Sequence, residues 1–531
     1  MKITNIVYAM VFASIISSCA RVGRPEGGPK DETAPIMVTA NPPYETLEFK
    51  EKNIRIYFDE YITLKELTKQ LVVSPPVKTP LIITPQGTPS KYISIKIMDT
   101  LKENTTYTIN FGNAIRDNNE GNTLESFKYV FSTGTYIDSL KVKGAVKPAF
   151  RQKKFSNIGV LLYRYDRDFN DSIVYKKKPD YVSNTLDSTD FEFSNIREGK
   201  YLMIALKDKG NDYKFNPKVD QIGFLSDTLH LPQDSILAKE IVLFTEKQPF
   251  KLKRPKELFK GKIRFGFQGN KADFKARLLS QVPADFKAIA AFDEKRDTLN
   301  YWYTPNVKDS LQFAIEHRDF TDTVTVRLRK KKIDSLRVTS KIKRILNLKD
   351  TLILEANNPI VAIDTSKISL VDRDTLPVKY SIAQLRHTKL AVLFDKKPSN
   401  EYSFQMLPDA LEDIYTCKTD TIKYQFGTLE PEDYGTIIFN VSNANNHQLL
   451  VELIDGDEVI DQRVINSTKT VNYTLLEPKD YLIRVIVDDN KNGRWDTGNY
   501  LKRQQPERVE YFQKILKLRA NWVDNETMII E

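Results

Sequence analysis

Ile54-Arg55-Ile56-Tyr57-Phe58 puts three apolar side chains on one side of an extended chain and Arg55 and Tyr57 on the other. That two-residue period is the mark of a half-buried strand. It returns where Ile93, Ile95 and Ile97 alternate with Tyr92, Ser94 and Lys96. Tyr107-Thr-Ile-Asn-Phe111 and Phe127-Lys-Tyr-Val-Phe131 repeat it, with the turn cluster Asp117-Asn-Asn-Glu-Gly-Asn122 between them. Short strands separated by turn residues predict a β-sandwich. Tyr and Phe, 25 and 28 in number, suit sandwich cores. At 531 residues the chain has room for several such units, roughly three to five by length alone. The expected fold class is all-β, a row of tandem sandwiches.

The N-terminus reads differently. Lys2 precedes an apolar run from Ile6 to Ile16, followed by the small residues Ser17 and Ser18 and then Cys19. A membrane-spanning helix needs roughly 20 apolar residues, and neither this run nor any later one is that long. The pattern predicts a signal peptide over residues 1–18. Ile16-Ser17-Ser18-Cys19 resembles the bacterial lipobox. The resemblance implies that Cys19 heads the mature chain and carries acyl groups such as palmitate. Its partner would then be a lipid bilayer, expected to be the outer membrane, with the cell-surface or periplasmic side left open. An ordinary secretory signal with an incidental cysteine is the alternative. With Cys19 acylated, Cys417 has no disulfide partner within the chain. The Gly-, Pro- and charge-rich residues 19–33 read as a flexible tether.

Phe58-Asp59-Glu60-Tyr61-Ile62, Leu101-Lys-Glu-Asn-Thr-Thr-Tyr107, Ile115-Arg-Asp117 and Phe131-Ser-Thr-Gly134 resemble the bacterial Ig-like domain of S-layer proteins. The resemblance covers residues 34–135 and implies a non-catalytic spacer or adhesive sandwich. In residues 136–249, Ile196-Arg-Glu-Gly-Lys-Tyr201 leading into Leu202-Met-Ile-Ala-Leu206 resembles the transthyretin-like fold of carboxypeptidase regulatory domains. There a Gly-x-Tyr turn feeds an alternating strand. Residues 250–343 read as a third sandwich of no recognised family, with Lys262-Ile-Arg-Phe-Gly-Phe267 and Thr323-Val-Thr-Val-Arg-Leu328 as alternating strands. An internal repeat organises the remainder. Tyr402, Phe404, Met406, Tyr424, Phe426 and Thr428 each follow Tyr107, Ile109, Phe111, Tyr129, Phe131 and Thr133 by 295 positions. Residues 344–429 therefore read as a diverged second Ig-like domain, with Asp413-Ile-Tyr-Thr-Cys417 in place of the Asn-Glu-Gly-Asn turn. Tyr473, Leu476, Tyr481, Asp488 and Trp495 follow Phe193, Ile196, Tyr201, Asp208 and Phe215 by 280 positions. Residues 430–531 read as a second transthyretin-like sandwich.

The candidate site with the most internal pattern is Asp488-Asp-Asn490-Lys-Asn492-Gly493-Arg-Trp-Asp496. Oxygen-bearing side chains at positions one, three, five and nine, with glycine at six, match the start of a calcium loop. The closing glutamate is missing at position twelve, which is Asn499, and the earlier copy keeps only Asp208, Gly210 and Asp212. An Asx-rich turn between strands accounts for the same residues. His230, His317, His387 and His447 are not spaced as metal ligands. No nucleophile elbow, phosphate loop or HExxH motif occurs, and nothing singles out a glycosidase pair among the 70 acids. The net charge of +10 is dispersed among those acids, which argues against nucleic acid as a partner. Asp followed by Ser or Thr and an apolar residue recurs, as in Asp99-Thr-Leu101, Asp138-Ser-Leu140, Asp334-Ser-Leu336 and Asp374-Thr-Leu376. Such tripeptides open strands, and they also resemble the O-glycosylation sequon of some Gram-negative envelope proteins.

These features point to a non-enzymatic, lipid-anchored protein of the outer membrane. The expected role is a structural or interaction component of an envelope assembly, accessory to outer-membrane protein biogenesis or export, with an outer-membrane protein or envelope complex as partner. The alternative is a glycan-binding surface lipoprotein for nutrient capture, for which Tyr301-Trp302-Tyr303 is the one dense aromatic group.

Overall fold

Strand Asn53–Leu64 turns Ile54, Ile56, Phe58 and Ile62 into a core, as the alternation requires. The computed structural model describes residues 30–531 except 152–155, 168, 236–237, 270–273, 294–296, 308, 319, 330–331 and 343. The expected signal peptide, Cys19 and most of the expected tether lie outside the described residues. In the first sandwich, Asn53–Leu64 lies between Met37–Asn41 and Ser90–Lys96, with Ile82–Thr84 at the edge and Ile115–Asp117 against its end. A second sheet of Val72–Ser74, Thr106–Asn110 and Lys128–Ser132 closes the core over it. Each fully buried Ile or Phe stabilises the fold by roughly 1.5–3 kcal/mol relative to exposure.

Four further sandwiches follow, and all five are β-rich, so the molecule is an all-β protein of tandem sandwiches. The unit over residues 336–428 repeats the first. Its three-stranded sheet is Ile368–Asp372, Glu401–Met406 and Ile422–Gly427. The offset of 295 holds down to single hydrogen bonds. The Tyr107 hydroxyl accepts from the Lys102 amide at 2.9 Å, and that of Tyr402 from the Lys397 amide at 2.8 Å. The Thr133 hydroxyl donates to the Lys102 carbonyl at 2.7 Å, and that of Thr428 to the Lys397 carbonyl at 2.6 Å. In both copies the tyrosine ring stacks on a phenylalanine, Phe131 or Phe426.

The units over 140–244 and 435–530 form a second matched pair. Each has a three-stranded sheet whose last strand runs parallel to the first: Lys239–Leu243 on Leu140–Pro148, and Val523–Ile530 on Gly435–Asn443. The Tyr201 hydroxyl donates to the Arg197 carbonyl at 2.9 Å and the Tyr481 hydroxyl to the Glu477 carbonyl at 2.8 Å. Asn195 and Leu475, again 280 apart, both take left-handed backbone, with φ of 59° and 52°. A bulge sits at the same place in both. The middle unit, 251–328, pairs Lys262–Gln268 and Thr298–Tyr303 against Ser310–His317 and its neighbours, around Phe265, Phe267, Phe313 and Tyr303.

Tandem in sequence is not a row in space. Strand Gly199–Lys207 was expected to alternate, yet Tyr201 to Leu206 are buried on both faces. Tyr201, Met203 and Ala205 enter the unit's own core. Leu202, Ile204 and Leu206 join a second core with Phe224, Phe244 and Tyr500, the last belonging to the fifth unit. Strands buried on both faces read as continuous apolar runs, and Tyr201-Leu-Met-Ile-Ala-Leu206 is one. The third and fourth units join through Trp302, Ile414 and Tyr415. The Tyr415 hydroxyl donates to the Gly261 carbonyl at 2.6 Å, and Gly261 (φ +94°) leaves the ring room: a Cβ there would lie 2.6 Å from it. The diverged turn thus has a structural use, since Asp413 still folds it by accepting from the Tyr415 and Cys417 amides while Tyr415 is delivered to the neighbouring unit. The fourth and fifth units meet where Asn347 and Lys349 donate to the Leu475 and Thr474 carbonyls. With the fifth unit back on the second, and the second linked to the third through residues 245–250, units two to five close a circuit.

Candidate functional site: the Asx-rich loop at the joint of the second and fifth units

Strand Asp480–Val487 ends as its next residue, Asp488, turns inward to 1% exposure. The Asp488 carboxylate accepts from the amides of Asn492 (3.0 Å) and Gly493 (2.8 Å) and from the side chain of Gln448 (2.8 Å). The loop is wound around that carboxylate, and Gly493 takes the left-handed φ of +75° that the tight turn requires. The earlier copy is built alike: Asp208 accepts from the amides of Gly210, Asn211, Asp212 and Tyr213 at 2.7–2.8 Å. Burial nevertheless pushes the Asp208 carboxyl above its ordinary range. Asp117 winds its own turn in the first unit by accepting from four amides, Asn119 to Asn122. A buried aspartate at the head of an Asx-rich turn is therefore a recurrent structural device in this chain.

The 488 loop differs from its copies in what stands opposite. Asn490 and Asn492 both donate side-chain amides to Asp496, the former at 2.7 Å. Burial works against the charge of Asp496, but those two amides and the nearby Arg494 and Lys247 hold its carboxyl below the ordinary range. Asn499 stays out of the loop: its side chain accepts from the Lys502 amide, and its backbone pairs with Gln504. That turn brings Glu507 back across Asp496. The Glu507 carboxylate accepts from the Asp496 amide at 2.8 Å, and the Glu507 amide donates to the Asp496 carbonyl at 3.0 Å. Glu507 is 8% exposed. Its second oxygen, Oε1, has no hydrogen-bond partner. Sequence reading missed Glu507, because it lies 19 residues after Asp488 where a contiguous calcium loop closes after 11.

The loop is also the joint. Trp495 packs on Phe150 of the second unit with ring centroids 4.6 Å apart, and its indole donates to the Glu507 carbonyl. The Thr497 hydroxyl donates to the Thr245 carbonyl at 2.7 Å and the Tyr500 amide to Glu246 at 2.6 Å. Arg503 pairs with Asp171. Beside it, Glu452 and Arg484 form an ion pair with both side chains 8% exposed, and Arg484 lies 4.0 Å from the Phe150 ring centroid.

The other candidates fall elsewhere. His317 stacks on Phe250, and His230 shares a hydrogen bond with Thr228. No three His, Cys, Asp or Glu side chains among the described residues converge as a ready-made metal cage. Tyr301 and Tyr303 lie in the third unit's core and Trp302 in its joint with the fourth, so the aromatic trio is buried rather than displayed. A cleft of about 840 Å³ lies between the first two units, and Lys128 and Lys143 on its wall already pair with Glu192. Thr100, Ser139, Ser335 and Thr375 of the Asp-Ser/Thr-apolar tripeptides are exposed. No helix among the described residues is long and apolar enough to cross a membrane.

The fold defines a class, a multi-unit all-β protein of Ig-like sandwiches. Residues 31–133, the first sandwich, match the bacterial Ig-like domain family. No curated protein matches the chain. Among solved structures, the S-layer protein SbsC aligns at 12% identity over 92% of this chain and 68% of its own, with a TM-score of 0.17. A titin tandem aligns at 11% identity over 52% of this chain and 100% of its own (TM-score 0.13). The major pilin subunit of Bacillus cereus aligns at 8% identity over 73% and 99% (TM-score 0.14). Likenesses at these scores carry no functional argument.

Proposed function

We propose that this chain is a lipid-anchored outer-membrane protein, held to the bilayer through Cys19, that serves as a rigid interaction scaffold in an envelope assembly. The observation that carries the scaffold reading is the closed circuit of units two to five. Polar and aromatic side chains fasten the units together: Tyr415 on Gly261, Tyr500 over Phe224, Arg484 over Phe150. Rigid circuits hold their outer faces and sheet edges at fixed separations, and exposed edges recruit partners by strand addition. Strand Val523–Ile530 offers such an edge. It pairs on one side only, and Val523, Asn525, Thr527 and Ile529 face outward without a charge. Exposed edges are ordinarily guarded by lysine or proline. The partner is an outer-membrane protein or complex, and accessory work in outer-membrane protein biogenesis or export is the role that fits this placement. The anchor is tested by Cys19→Ser and membrane fractionation. The variant is expected in the soluble fraction, and retention in the membrane equal to wild type refutes the anchor. Val523→Lys with Ile529→Lys tests the edge: recovery of the same membrane partner at wild-type yield refutes it.

A further inference from the structure

We propose that the 488–507 loop is a calcium site closed by Glu507, with Asp488, Asn490, Asn492 and Asp496 as the other side-chain ligands. Calcium takes six to eight oxygen ligands in flexible geometry. Asp488 has three of its roughly four acceptor positions engaged by N–H donors, which leaves a lone pair for an ion. Asn490 and Asn492 stand at positions three and five with both amides against Asp496. Their side-chain oxygens accept from the Asn492 and Arg494 amides, which leaves each a second lone pair for a cation. The backbone carbonyl of Arg494 occupies position seven.

Glu507 is the observation that lifts this loop above its copies. It is more than nine-tenths buried and leans on the Asp496 amide through Oε2, while Oε1 meets no donor. A buried carboxylate without full hydrogen bonding costs free energy. The Asp488, Asp496 and Glu507 carboxylates do not converge as a ready-made cage, and a hard divalent cation would draw them together. In the corresponding loop, Asp208 and Asp212 have only the Asx turn, and Asp208 is saturated by four amides. Because Trp495, Thr497 and Tyr500 of the same loop hold the second unit, the ion would set the strength of that joint.

The test is calcium chloride titration of the full chain by calorimetry, with thermal unfolding followed by Trp495 fluorescence in calcium, in magnesium and in EDTA, for wild type and Glu507→Gln. One calcium per chain is expected to bind, raising the unfolding midpoint, with magnesium far less effective. Glu507→Gln keeps an acceptor for the Asp496 amide but loses a charge. It is expected to weaken calcium binding by about tenfold or more. In EDTA the same variant should be at least as stable as wild type, because a buried carboxylate with an unpartnered oxygen is gone. Absence of binding heat and of a midpoint shift in wild type overturns the proposal. Unchanged calcium affinity in Glu507→Gln overturns it too, as does an equal loss of stability in EDTA and in calcium, which would mark Glu507 as merely structural.

Discussion

Tyr500 offers a substitution whose sign depends on which part of the side chain is removed. The ring is fully buried in the joint, with Phe224 at 5.6 Å and Tyr175 at 6.4 Å between centroids and the Arg503 guanidinium 5.1 Å from its face. Its hydroxyl is buried with no hydrogen-bond partner. Truncating a buried aromatic ring costs about 3–5 kcal/mol, and leaving a buried polar atom unsatisfied costs about 1–3 kcal/mol. Tyr500→Ala is therefore expected to weaken the joint by about 3–5 kcal/mol, while Tyr500→Phe should be neutral or stabilise it by about 1 kcal/mol. Neither change touches the fifth unit's own core of Phe439, Val451, Tyr481 and Val485. Urea unfolding followed at Trp495, whose ring lies on Phe150 across the joint, reads the effect. Unfolding of several units is not two-state, so the comparison is between midpoints of that one transition. A Tyr500→Ala midpoint within about 0.5 kcal/mol of wild type, or a Tyr500→Phe loss as large as that of alanine, refutes the reasoning.

The buried pair Glu452–Arg484 predicts strong coupling: Arg484→Met alone should cost about 3–5 kcal/mol, and adding Glu452→Leu should restore most of it, measured as a double-mutant cycle in urea. Gly261→Ala forces a side chain into left-handed backbone against Tyr415 and the Tyr303 carbonyl, so the third-to-fourth joint should lose about 2 kcal/mol, read from Trp302 fluorescence. Glu246 in the joint has its carboxyl raised by burial against the pull of the Tyr500 amide. Above its ordinary value of 4.5 and up to the raised one, the folded state holds more protons than the unfolded, so joint stability falls as pH rises through that window. The Trp495 midpoint should climb as pH is lowered toward 5, less steeply in Glu246→Gln, and parallel profiles for the two proteins would count against it.

The strands were legible because burial on one face imposes a period of two, as Ile54, Ile56 and Phe58 show. The repeats were legible because turn residues with fixed hydrogen-bonding duties, such as Thr133 and Thr428 or Tyr201 and Tyr481, hold their spacing while core side chains drift. The joints were not. Tyr500 meets Glu246 across 254 positions, and such contacts leave no periodic trace. One sign was present in the apolar run from Tyr201 to Leu206, which needs cover on both faces. Tyr301-Trp302-Tyr303 carries the same sign, with Tyr301 and Tyr303 entering the unit's own core and Trp302 its joint with the fourth unit. Of the candidate site, Asp488, Asn490, Asn492 and Asp496 could be read from spacing. Glu507 could not, because the Asn499–Gln504 turn that returns it is set by backbone pairing.

The return of the fifth unit onto the second is the claim on which the scaffold rests. Cysteines at positions 171 and 503, replacing the Asp171–Arg503 ion pair in a chain carrying Cys19→Ser and Cys417→Ser, test it with a short bismaleimide. That half-buried pair contributes about 1 kcal/mol and the Arg503 stacking on Tyr500 about 1 kcal/mol more, small beside the roughly 3–5 kcal/mol of the buried Tyr500 ring, so its replacement leaves the joint formed. Rapid cross-linking within monomers, mapped by mass spectrometry to positions 171 and 503, is the predicted result. Failure to cross-link, or cross-links only between chains, would mean that the sandwiches form the open row that their order in sequence implied.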